Sequence, residues 1–377
     1  MNLLLESALL LGYFDSLFVE IRDREVQPSA TLPPTLNQLY LRAMREHART
    51  GALLRWQGTG WEPVPDWRLD RQVIRLALYL REQLGLGSGD RVAVISELRP
   101  EWLVADLAAI GLGAESVGLD HRLPAEPLGR LLRELRPRIT FASASVLPKL
   151  GVGNGRATTG DELILFDDRS TASGALHWDK VMDLGGTLDT PERAQSFRAL
   201  ARGAEVGAPA AGHYHPGDRG EPEMVRLTQG EVIERLREER AYPPARAGDI
   251  AYLAGPAVTL ATRLALFSFL GDGYTSTAID GEGRPASDVR ALHPHKIIAP
   301  PAVLQELLAS TSTGPVTAAG WLERVAGRAT GGRSAGSRRA TREGLGGQAR
   351  WIGPTDILDP ELARRLCAAV EVGAEIH

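Results

Sequence analysis

The chain is nearly without lysine: Lys149, Lys180 and Lys296 are the only three among 43 basic residues. It has one cysteine, Cys367, so an intrachain disulfide is excluded and a reducing, cytoplasmic setting is expected. It lacks a basic excess: the net charge is -4, which argues against a general nucleic-acid binder. No intact GxxxxGK[ST] occurs, which removes a familiar phosphate motif. The apolar N-terminus carries Glu6, Asp15 and Glu20, so it makes a poor membrane span. It also lacks a basic leader segment and a small-residue cleavage site, so it makes a poor signal peptide.

What remains is ordinary globular material. At 377 residues with 43% hydrophobic and 24% charged side chains, the chain can bury a substantial core as one large domain or two to three smaller ones. The first 26 residues predict an amphipathic helix. Leu3, Leu10, Phe14, Leu17, Phe18 and Ile21 share one face, opposite Glu6, Ser16, Glu20 and Asp23. Three uses fit such a helix: docking on its own domain, binding a protein partner, or lying on a membrane surface. The lack of any basic residue before Arg22 weakens the last.

From residue 27 onward, strands alternate with helices. A helix is expected after Pro33 and Pro34, a hairpin around Gly58 and Gly60, and a helix over 66–86. Strand 90–96, helix 100–113, strand 114–120, helix 125–135, and strands 138–143 and 162–168 follow. Residues 185–222 are rich in Gly, Ala and Pro and read as loop. A second α/β run occupies 228–309, with a strand near 350 and a helix over 359–370. The basic, low-complexity stretch 327–347 reads as a mobile solvated loop, since it has no interleaved aromatics for RNA. The pattern predicts an α/β fold with mostly parallel sheets, divided into 27–200 and 201–377.

The segment GDRVAVISELRPEWLVADLAAIGLGAESVGLD, residues 89–120, resembles the adenylate-forming (AMP-binding) superfamily, most closely its long-chain acyl-CoA synthetases. Their pattern there reads GDRVAILSENRPEWxxxDLAxxxxGAxxVPLY. Scattered agreement runs from about residue 31 to the C-terminus, ending in GGQARWIGPTDILDPELARRL, which is similar to the family's GGxLRFxxSGGAPLxPELxxF. The resemblance implies two α/β subdomains in αβαβα layers, as in the N-terminal region of acyl-CoA synthetases, without the small C-terminal domain. It also implies ATP-dependent activation of a carboxylate to an acyl-AMP, with Mg and CoA as co-reactants.

The family's phosphate loop, YTSGTTGxPKGVxLTHxN, falls without gaps on YHPGDRGEPEMVRLTQGE from Tyr214. Tyr214, Gly217, Gly220, Pro222, Val225, Leu227 and Thr228 match; these shape the turn and seat the following helix. The phosphate-touching positions do not match. Hydroxyl positions hold His215, Pro216, Asp218 and Arg219, and the lysine position holds Glu223. Pro216 has no N–H to donate, and the loop is net negative. A like-charge contact at about 4 Å costs roughly 1–4 kcal/mol, although magnesium could bridge carboxylates and phosphates. The glycine-rich adenine segment falls on Gly353 to Leu358, and the residue beside the acyl pocket falls on Thr259. None of the three lysines occupies a family lysine position. His213 with His215, and His293 with His295, have metal-pair spacing but no third ligand nearby, so no metal is expected. Cys367 reads as a core residue.

The sequence therefore leads to a degenerate, C-terminally truncated acyl-CoA-synthetase-like protein. The expected role is a catalytically inactive subunit, scaffold or regulator, with no ATP, Mg or CoA and a protein partner on the N-terminal helix. Two alternatives stand beside it. One is an ATP-dependent fatty acid–CoA ligase completed by a separate chain, and the other a non-catalytic acyl or acyl-CoA sensor.

Overall fold

A computed structural model describes residues 32–47, 49–57, 60–151, 162–167, 175–216, 222–239, 249–255, 258–272, 276–280, 285–310 and 351–354. The N-terminal helix face Leu3 to Ile21, the loop 327–347, the helix 359–370 and Cys367 all lie outside the described residues.

In chain order the described elements begin with α1 (Leu36–Glu46), the strands β1 (Leu53–Trp56) and β2 (Trp61–Val64), α2 (Asp66–Glu82) and β3 (Arg91–Ile95). Then come α3 (Pro100–Gly111), β4 (Glu115–Gly118), α4 (Ala125–Leu135), β5 (Ile139–Ala142), β6 (Glu162–Leu165) and β7 (Leu176–His177). Next are α5 (Trp178–Leu188), α6 (Pro191–Arg202), β8 (Pro209–Pro216), β9 (Pro222–Thr228) and α7 (Gln229–Glu239). The last are β10 (Ile250–Ala254), α8 (Leu260–Asp272), β11 (Ser276–Asp280), α9 (Pro285–Leu292), β12 (Lys296–Ala299), α10 (Pro301–Ser310) and β13 (Trp351–Pro354).

The contacts divide the chain into two compact units, 29–248 with 256–282, and 249–255 with 283–377 (plus the first 28 residues). The expected boundary near residue 200 is thus corrected. Residues 201–248 join the first unit because β8 pairs directly with β4, extending its sheet. The larger unit holds a seven-stranded sheet in the order β7-β6-β5-β3-β4-β8-β9. Its pairs are parallel except β8 with β9. In the same unit β1 pairs antiparallel with β2 and parallel with β11. The smaller unit has β12 between β10 and β13, all parallel, with α9 and α10 beside them.

One face of the seven-stranded sheet is dry. Ala93, Ile95, Val117 and Ala142 meet Leu128, Leu131, Leu132 and Leu135 of α4, all buried. Apolar positions at i, i+3, i+4 and i+7 put those four leucines on one stripe, and each contributes about 1.5–3 kcal/mol on burial. The other face is covered by α3, which packs on α2 and α6. Every residue of α3 is buried, so the charged Asp106 within it requires an internal partner.

The loop expected over 185–222 is instead the end of α5, all of α6 and the whole of β8. Gly185 and Gly212 there serve close packing rather than turning. A Cβ on Gly185 would stand 2.3 Å from the Arg75 carbonyl oxygen, so only glycine lets α5 approach the backbone of α2. The helix expected over 66–86 stops at Glu82, and the backbone then turns through Gly85 at φ +65°.

Candidate functional site

The segment resembling a phosphate loop forms a β-hairpin. Strands β8 and β9 are in register from Ala211 opposite Leu227 to Pro216 opposite Pro222. The connection therefore enters a strand, not a helix, and the expected loop-to-helix entry is corrected: seven residues of β9 stand between the turn and α7. Gly217, Asp218, Arg219 and Gly220 lie outside the described residues.

The flanking positions have distinct settings. Tyr214 pairs across the ladder with Met224, and both pack against the leucine-rich face. Burial, the largest influence, pushes the Tyr214 phenol above its ordinary range, and Glu134 adds to it. Glu223 stands opposite His215 and is exposed. Pro222 stands opposite Pro216 at the mouth of the turn. Thr228 ends β9 and begins α7: its Oγ1 accepts the Glu231 N–H at 3.2 Å, while Glu231 Oε2 accepts the Thr228 N–H at 2.7 Å. This reciprocal pair is a capping box. It satisfies orphan donors of the helix start.

Cations are few here. On β9 the described cation is Arg226, which lies 3.2 Å from Glu115. Lys149 donates to the His121 carbonyl, Lys180 lies on α5, and Lys296 is buried on β12, so none belongs to the hairpin. The described part of the hairpin thus presents an exposed carboxylate and no free lysine.

A second feature fastens the hairpin from behind. Arg263 of α8 meets Asp106 of α3 through Nε (3.2 Å) and one terminal nitrogen (3.0 Å to each oxygen). Its other terminal nitrogen donates to the Gly212 carbonyl on β8 at 2.8 Å and to the Ser116 carbonyl on β4 at 3.2 Å. The Ser116 hydroxyl completes the Asp106 carboxylate at 2.5 Å. With side chains 3% and 1% exposed, the pair is dry and fully hydrogen-bonded. The sequence reading overlooked it. The signal available was one aspartate in the apolar middle of α3, flanked by Val104, Ala105, Leu107 and Ala108, which implies a buried cation elsewhere.

Thr259, placed beside the acyl pocket by resemblance, works as a helix cap: its Oγ1 accepts the Thr262 N–H at 3.2 Å. Gly353 and Pro354 lie on β13, while 355–358 lie outside the described residues. His295 accepts the Ile250 N–H on Nδ1 at 3.1 Å, and its Nε2 lies 3.8 Å from Asp249. His213 is buried on β8. Among the described residues no three His, Cys, Asp or Glu side chains are grouped to hold a metal, and no helix is long and apolar enough to cross a membrane.

Comparison with known proteins gives consistent findings. The family described as AMP-binding enzyme matches residues 68–359. The chain is 27% identical over 216 residues to the long-chain-fatty-acid–CoA ligase FadD15 of Mycobacterium bovis and to that of Mycobacterium tuberculosis. Each match covers 54% of this chain and 34% of the ligase, so it spans about a third of those relatives. Among solved structures, the A-PCP didomain of carboxylic acid reductase from Segniliparus rugosus with AMP superposes with TM-score 0.68 at 17% identity, covering 91% of this chain and 52% of that one. The red-emitting luciferase of Phrixothrix hirtus gives 0.66 at 13% identity, covering 93% and 61%. The Mycobacterium tuberculosis fatty acyl CoA synthetase gives 0.56 at 16%, covering 72% and 50%. The fold is that of the N-terminal region of adenylate-forming enzymes.

Proposed function

The chain belongs to the AMP-binding enzyme family, and from that premise we propose that it is an acyl-CoA-synthetase-like member that acts by binding rather than by forming acyl-adenylate. The observation carrying this reading is the hairpin. Glu223 is exposed on β9 where the family pattern has lysine. A carboxylate in that place repels a triphosphate, and transferring phosphoryl charge is stabilised mainly by preorganised cations and N–H donors. In this reading ATP, Mg and CoA are not used. The protein acts in the cytoplasm as a subunit, scaffold or regulator, with the face Leu3, Leu10, Phe14, Leu17, Phe18 and Ile21 as its partner surface.

The test is acyl-dependent ATP–pyrophosphate exchange on the purified protein. No exchange above background is expected with fatty acids of any chain length. Exchange that disappears when Glu223 is changed to alanine would overturn the binding-only reading. The partner surface is tested separately by affinity capture from the native cell with and without residues 1–25. A stoichiometric partner should be lost with the segment, and equal recovery removes that surface from the proposal.

A second reading has its own support. The 27% identity to a long-chain-fatty-acid–CoA ligase over 216 residues, and the superposition on a fatty acyl CoA synthetase, favour an ATP-dependent ligase for long-chain acids. That reading predicts fatty acid-dependent exchange, with magnesium bridging the hairpin carboxylates and the phosphates. A binding-only sensor of acyl chains predicts no exchange but a raised melting temperature with fatty acid or acyl-CoA.

A further inference from the structure

Away from the hairpin, the larger unit contains a cavity of about 940 Å³ between α2 and α5, with Arg55, Arg99 and Arg198 on its other walls. Its charges balance. Asp189 receives Arg71 and Arg75, Asp70 receives Arg198, and Glu101 receives Arg55. Glu97, Glu101 and Asp167 surround Arg99. Such a cavity holds no excess charge to attract a small ion of either sign. It suits a surface that carries both signs in a matching arrangement.

The charge is segregated, helix by helix. On α2, Arg68, Arg71 and Arg75 recur at i, i+3 and i+7 and share one side. On α5, the exposed Asp179 and Asp183 recur at i and i+4, with Met182 beside them. Lys180 falls on the adjoining side of α5, one turn before Leu184. The two helices lie side by side: Gly185 meets the Arg75 backbone, and the cavity opens between the turns that precede this contact. A two-fold axis along the groove lays α2 of one copy over α5 of another, and the reverse. Each basic row then meets an acidic one, twice. That is the condition for an isologous contact, in which one patch complements itself.

The face also carries an anchor. Among the described residues four large apolar side chains are exposed, and two of them, Trp67 and Leu184, lie on these two helices. Trp67 leaves 71% of its surface to solvent. The opposite wall of the cavity holds Trp178 and Met182. The same axis carries the Trp67 indole of each copy toward that wall in the other. Tryptophan and arginine are the side chains that most often carry the binding energy of protein–protein contacts.

We propose that the α2–α5 face pairs two copies of this chain about a two-fold axis, with Trp67 as the anchor and the arginine row of each copy on Asp179 and Asp183 of the other. This surface is separate from the face over residues 3–21. Sedimentation velocity of the full chain across a range of concentrations should show a monomer–dimer equilibrium that weakens as salt is raised. Trp67→Ala should raise the dissociation constant about tenfold or more. Arg68→Glu and Asp179→Arg should each be monomeric, because like charges then meet at both ends of the contact. An equimolar mixture of the two should dimerise again, since the carboxylate introduced at 68 meets the guanidinium introduced at 179. If Asp179→Arg does not fold, Asp183→Arg takes its place in the mixture. A wild-type chain that is monomeric at every concentration, or a dimer that survives both Trp67→Ala and Arg68→Glu, overturns the proposal. Two monomeric single variants that do not dimerise when mixed overturn the two-fold arrangement.

Discussion

The two faces of the seven-stranded sheet carry their charges differently. On the face under α3, Asp106 is buried but receives Arg263 on both oxygens and the Ser116 hydroxyl. On the face under α4, Glu115 shares its side of β4 with Val117 in a leucine-rich setting. Arg226 approaches Glu115 to 3.2 Å, yet Oε1 receives no hydrogen bond. Burial pushes the Glu115 carboxyl above its ordinary range, outweighing Arg226, Arg91 and Arg263. The contrast teaches that buried charge is governed by saturation of its lone pairs. A partner at ion-pair distance alone does not restore what desolvation removes.

The comparison can be broken most forcefully at Arg263. Arg263→Met leaves Asp106 buried and uncompensated and should cost about 3–5 kcal/mol in urea unfolding. On the dry face, Leu132→Ala should cost about 3 kcal/mol in the same measurement, from lost burial plus a residual cavity. Replacing both partners, Asp106→Leu with Arg263→Met, should return most of the Arg263→Met loss. A double variant no more stable than the single would mean that the carbonyl bonds to Gly212 and Ser116, rather than the charge, carry the effect.

Glu115→Gln should have the smallest effect, visible only in pH dependence. The folded carboxyl binds its proton more tightly than the unfolded one, whose ordinary value is 4.5. The folded state therefore holds more protons between the two values, and stability falls as pH rises through that window. Glu115→Gln should flatten this fall. An unchanged stability profile between the wild type and Glu115→Gln would show that Arg226 compensates the carboxylate in full.

Most of the α/β succession was legible in the sequence, because each element carries a strong period. Helix α4 matches its expected bounds, since Pro124 starts it and Leu128, Leu131, Leu132 and Leu135 mark one stripe. Helices α5 and α6 were not legible. Gly185, Gly186 and Gly203 read as turn residues, and only the approach of α2 to within 2.3 Å of a Gly185 Cβ explains a glycine inside a helix. At the hairpin, Glu223 in place of lysine was plain from the resemblance to the family's loop pattern. The strand between turn and helix was not, because MVRLT carries no alternation strong enough to separate it from the start of α7. The Arg263–Asp106 pair joins residues 157 positions apart, which no local pattern can announce.

The hairpin is held at its base by the Gly212 contact to Arg263, along its length by the ladder, and at its exit by the Thr228–Glu231 cap. None of these three fastenings involves residues 217–221. The frame on both sides of the connection is thus held by its own contacts, so its register is specified by the strands and not borrowed from the segment that joins them.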